Sequence, residues 1–126
     1  MKVLSCFFLL LALVLTAAAA DVTGNWSGTV TPLADDGKPQ NGEPALLILK
    51  QSGETLTGTG GPDQDQQLPL QNGKVVGDTI TGEVKDDDGS TFKLNLRVDG
   101  DRITGEVTMM HDGETQKAKM DLKRVK

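Results

Sequence analysis

Between Phe92 and Val98 the chain alternates strictly. Phe92, Leu94, Leu96 and Val98 are apolar, and Lys93, Asn95 and Arg97 between them are polar. Ala118, Met120 and Leu122 alternate in the same way with Lys117, Lys119, Asp121 and Lys123. A period of two gives a strand one dry face and one wet face, as in antiparallel sheets. No window sustains a helical period. Gly53-Glu54, Asn72-Gly73, Gly77-Asp78, Asp88-Gly89, Gly100-Asp101 and Asp112-Gly113 are hairpin dipeptides. The strands expected from this punctuation run near 22–31, 45–52, 55–60, 67–76, 79–85, 90–98, 102–110 and 114–125. Ala45 to Leu49 is apolar on both faces, which predicts a strand covered outside as well as inside.

One pattern recurs. Gly53-Glu54-Thr55-Leu56-Thr57-Gly58, Gly77-Asp78-Thr79-Ile80-Thr81-Gly82 and Gly100-Asp101-Arg102-Ile103-Thr104-Gly105 share Gly-[Asp/Glu]-x-[Leu/Ile]-Thr-Gly, with starts 77−53 = 24 and 100−77 = 23 residues apart. That period fits one β-hairpin per unit. Leu56, Ile80 and Ile103 share a face with Gly58, Gly82 and Gly105, while Thr57, Thr81 and Thr104 point the other way. Inward glycines let a strand bend or a neighbouring side chain approach, as a closed sheet requires; the alternative is that they only weaken strand interiors. The expected fold is all-β: an eight-stranded antiparallel up-and-down meander closing into a barrel, which removes exposed edges. The longest connection, Pro32 to Pro44, would lie at one mouth, where it is either functional or mobile.

Composition changes the picture at the N-terminus. Lys2, an apolar run from Val3 to Leu15 and an Ala18-x-Ala20 site make a secretory signal peptide of residues 1–20, cleaved after Ala20; the alternative is a membrane anchor, which the length and Ser5, Cys6 and Thr16 disfavour. The mature domain is then 21–126, or 126−20 = 106 residues, with no cysteine to form a disulfide and a charge of 12−18 = −6. That balance makes nucleic acid an unfavoured partner. A secreted or periplasmic monomer with no membrane span in its mature form is expected.

Thr23-Gly24-Asn25-Trp26 at the first strand resembles the Gly-x-Trp signature of the calycins, the lipocalin and avidin superfamily of barrels. Leu56-Thr57-Gly58-Thr59 resembles an avidin-type strand. The resemblance implies that Trp26 plugs the closed end. Phase with Val22, Gly24, Gly28 and Val30 independently points it inward. In lipocalins an arginine from the last strand region packs over this tryptophan. Arg124, in phase with Ala118, Met120 and Leu122, would do so here, or else be a frayed terminal charge. Gly28 and Pro32 stand where avidins carry biotin-contacting Asn and Ser, and the chain has no Tyr and no second Trp, so biotin is not the expected ligand. The chain is also shorter than a full lipocalin with its helix. More broadly it resembles small secreted bacterial β-barrel proteins of unknown function that begin with Gly-x-Trp and carry repeated Gly-Asp-x-Ile-x-Gly hairpins.

Catalytic and metal chemistry finds little support. His111, the only histidine, lies in a turn, and Ser27, Ser52 and Ser90 have no motif around them. The Cys and His ligands of a zinc site are missing. Asp86-Asp87-Asp88-Gly89-Ser90 has consecutive rather than alternate carboxylates, and Gly61-Pro62-Asp63-Gln64-Asp65 alternates but reads first as a loop. No carboxylate pair stands out for glycosidase chemistry. No metal or cofactor is expected. The expectation is a non-enzymatic binding protein that takes a small apolar ligand at the barrel mouth or an envelope protein through its loops. Trp26, Phe92 and Arg124 are the candidate ligand-binding residues, in the interior and at the closed end. The alternative is a periplasmic protease inhibitor of the small β-barrel type, with Asp21-Val22-Thr23 as a short inserting arm; a small hydrolase based on His111 is a third reading. Met109, Met120 and Phe92 either fill the barrel or leave a hollow.

Overall fold

A computed structural model describes residues 21–125, and the signal peptide expected at 1–20 lies outside them. The strands are β1 (Gly24–Pro32), β2 (Glu43–Ser52), β3 (Thr55–Asp63), β4 (Gln66–Val76), β5 (Thr79–Lys85), β6 (Thr91–Asp99), β7 (Arg102–His111) and β8 (Glu114–Arg124). Each pairs antiparallel with its neighbours in sequence, and β1 also pairs with β8, closing the barrel. The expected eight-stranded meander is the observed one. Among the described residues no helix is long and apolar enough to cross a membrane.

Alternation makes the core. Leu94, Leu96 and Val98 of β6 are buried, as are Leu47 and Leu49 of β2, while the residues between them face outward. Among the described residues nothing fully covers β2 outside: Ile48 stays exposed and Leu46 only half-buried, so this apolar run does not mark a strand buried on both sides.

The repeats all fall at one end, because each unit spans two strands and returns the chain to its starting side. Gly53, Gly77 and Gly100 have φ of 63°, 63° and 62°, and the acidic residue after each does not share the positive φ. This is the type II′ pattern, which needs glycine first and matches the twist of the flanking strands. The carbonyl of each acidic residue accepts a backbone N–H from a strand end further along: Glu54 from Val75 at 2.9 Å, Asp78 from Val98 at 2.8 Å and Asp101 from Arg124 at 2.8 Å. The motif thus stitches successive hairpins together at this end of the barrel.

The inward glycines divide into two uses. A Cβ on Gly58 would collide with the Ile48 carbonyl, and one on Gly105 with the Asn95 carbonyl, so neighbouring strands pass too close for any side chain. Gly82 instead leaves space for Leu70, whose Cδ1 would lie 2.9 Å from an added Cβ.

Asn72-Gly73 is not a hairpin turn. It lies inside β4, where the register slips against both β3 and β5, and Asn72 takes φ of 54°. This is a β-bulge, which uses the same left-handed backbone as a turn to bend the strand rather than end it. β3 also runs further than expected, to Asp63, because Gly60 and Gly61 continue to pair with Leu47 and Leu46.

Candidate functional site

The two ends of the barrel are built differently. At the repeat end, Val22, Trp26, Leu56, Val75, Ile80, Ile103 and Leu122 are at most 2% exposed and close the interior. The Trp26 indole N–H donates to the Val22 carbonyl at 2.9 Å, satisfying its one polar atom inside the core. Arg124 lies over the indole with its guanidinium carbon 4.4 Å from the ring centroid. Its Nε donates to the Asp101 carboxylate at 3.0 Å, Nη1 to the Thr23 carbonyl at 2.8 Å and Nη2 to the Asp21 carbonyl at 3.0 Å. The planar fork therefore clamps the chain's first described residues onto the barrel floor. Arg124 is a structural cap here, not a frayed terminal charge.

At the opposite end the interior is open. A cavity of about 600 Å³ enters between β2, β3 and the strands facing them. Its wall is Val30, Ala45, Leu47, Val84, Phe92, Leu94, Val107 and Met120, the inward residues of the open half. Gly60 preserves part of this space, since an added Cβ would lie 2.7 Å from Leu47 Cδ2. Such a volume and lining suit a small, mostly apolar molecule.

The rim is held by local polar bonds. Asp63 Oδ1 accepts the N–H groups of Asp65 and Gln66, both at 3.0 Å, fixing the β3–β4 turn. Gln67 Nε2 donates to the Asp63 carbonyl at 2.7 Å and Gln67 Oε1 accepts the Thr59 hydroxyl at 2.7 Å. The long connection is partly ordered: Leu33 bridges to Pro39, and the Leu33 N–H donates to the Lys117 carbonyl at 2.8 Å. It thereby joins the mouth, alongside β8.

Beside it runs a second, outer groove of about 860 Å³, lined by Leu33, Met109, His111 and Lys117 among others. Here Ser90 Oγ lies 3.0 Å from His111 Nδ1, and His111 Nε2 lies 3.2 Å from Asp112 Oδ2. The Ser90 N–H donates to Asp88 Oδ1 at 3.0 Å. That backbone bond, followed by the Ser90 hydroxyl and the nearby His111, holds the Asp88 carboxyl below its ordinary value. A hydroxyl, an imidazole and a carboxylate in line have the order of a nucleophile, its base and an orienting group. The exposures run the other way: Ser90 is 6% exposed, whereas the Asp112 side chain is 88% exposed on its turn. The pair was nonetheless readable. A two-residue turn at Gly100-Asp101 sets Asp99 opposite Arg102, and continuing that register places Ser90 opposite His111.

Of the three expected ligand-site residues, the structure joins Trp26 and Arg124 at the closed end and places Phe92 alone in the cavity wall. The carboxylates lining the mouth, Glu43, Asp65, Asp86 and Asp87, were missed as a group, because they come from three separate turns or strand ends. Among the described residues no group of three or more His, Cys, Asp or Glu side chains converges as metal ligands would. No family model, curated protein or solved structure matches the chain, so the two ends of the barrel carry the functional argument alone.

Proposed function

We propose that this chain is an exported, non-enzymatic barrel of calycin-like type that binds a small apolar ligand through its open mouth. The observation that carries the reading is the apolar cavity of about 600 Å³ at one end of a barrel packed shut at the other. Export rests on the character of residues 1–20. Asp21-Val22-Thr23 gives the inhibitor alternative little support: Val22 is fully buried, and the carbonyls of Asp21 and Thr23 are held by Arg124, so this segment does not project as an arm. The test is native mass spectrometry of protein gently extracted from its source. A reproducible added mass of small-molecule size, lost when Gly60→Leu fills the cavity of a correctly folded variant, is the expected result. A bare mass, together with no uptake of apolar probes, would overturn the reading.

A further inference from the structure

The cavity lining carries charge of one sign only. Glu43, Asp65, Asp86 and Asp87 stand around the opening, and no Lys, Arg or His is among the residues that line it. None of these four carboxylates forms an ion pair among the described residues. Four cations are paired elsewhere: Arg97 with Asp78, Arg102 with Asp121, Arg124 with Asp101 and Lys117 with Glu106. The cavity lining itself is therefore negative.

An apolar cavity behind a negative opening selects for a particular molecule. Unpaired like charges around a low-dielectric recess focus a field that draws in cations and repels anions. An amphiphile entering tail first buries its apolar part against Leu47, Leu94 and Val107 and leaves its head at the rim. A fatty-acid carboxylate would then sit among four like charges, which disfavours it. We propose that the ligand is a cationic amphiphile: an apolar chain or ring system bearing an amine or quaternary ammonium head, with the head at Glu43, Asp65, Asp86 and Asp87. This rests on the binding reading above and adds the sign of the ligand's charge to it.

The test is calorimetric titration at low ionic strength, below micelle concentrations, with probes matched in chain: decyltrimethylammonium, decanoate and decyl maltoside. Tetramethylammonium supplies the head without a tail. The expected result is binding of decyltrimethylammonium at least about tenfold tighter than the other three. Asp86→Asn/Asp87→Asn, on an exposed loop, should weaken that binding several-fold and leave decyl maltoside unaffected. Added salt should do the same, since screening shortens to about 3 Å at 1 M. Equal binding of the three chain-bearing probes would overturn the charge inference while leaving the cavity reading intact. Tetramethylammonium binding as tightly as its decyl analogue would overturn it too, as surface attraction without the cavity. Binding of none of the four would overturn both readings together.

Discussion

The half of the barrel below Leu47 and Leu94 and the half above them share one backbone pattern and reach opposite ends. In the lower half large side chains, Trp26 among them, fill the interior around the inward Gly58 and Gly105, which neighbouring strands cross too closely for a side chain, and the turns are uniform glycine–acid pairs whose carbonyls tie neighbouring strands. In the upper half the inward positions include Ala45, Gly60 and valines, and the connections differ in length and chemistry. Alternation decides only which way a side chain points. The volume at each inward position decides whether the end is solid or hollow, and connections freed from a repeated bonding role are where specific chemistry can be placed.

If this contrast is right, truncation should cost far more below than above. Trp26→Ala removes the central buried side chain and is expected to lose about 3–5 kcal/mol of stability in denaturant titration. A loss near 1 kcal/mol would mean that the floor does not depend on its plug. Gly58→Ala should come next, at about 2 kcal/mol or more, because a side chain there meets the Ile48 carbonyl at a φ of 145°. Arg124→Ala gives up the indole contact and the clamp on residues 21–23, for an expected 1–2 kcal/mol, roughly. Arg124→Lys should recover little of it, since an ammonium cannot reach all three partners. At the mouth, Phe92→Ala is expected to cost only about 1 kcal/mol, the side chain being half-buried against open space, while reducing uptake of apolar probes.

The smallest effect concerns acid. The Arg102 guanidinium bonded to Asp121 holds that carboxyl below its ordinary value, and the Thr23 backbone N–H does the same for Asp21. A lowered carboxyl stabilises the fold above its unfolded value and loses that contribution as pH falls through its folded one. Stability should therefore be level from neutral to about pH 4 and fall below it. Asp121→Asn should make the fall slightly shallower in denaturant titrations across that range; an unchanged slope would remove the pair from the account.

Strand number, order and inward residues were legible because alternation and turn dipeptides are local. Three features were not. Asn72-Gly73 reads as a turn and is a bulge, since both need the same backbone; the flanking turns at 64–65 and 77–78 leave no length for another hairpin there. Closure of the meander was expected, but the register that pairs β1 with β8 joins residues about ninety positions apart and leaves no local trace. The acidic mouth combines Glu43 from the start of β2, Asp65 from the β3–β4 turn and Asp86 and Asp87 from the β5–β6 loop, which become neighbours only on closure. Trp26 was found from its Gly-x-Trp setting and its phase, whereas Ser90 beside His111 needed register carried the full length of a hairpin.

The floor has an optical consequence. Trp26 is the sole tryptophan and the chain contains no tyrosine, so its near-ultraviolet emission comes essentially from one fully buried ring under a guanidinium. That emission should shift strongly to the red on unfolding. It should change little when a colourless molecule enters the mouth, because Trp26 is fully buried and is not among the residues that line the cavity. The protein carries a built-in lamp for its own integrity that is dark to its cargo.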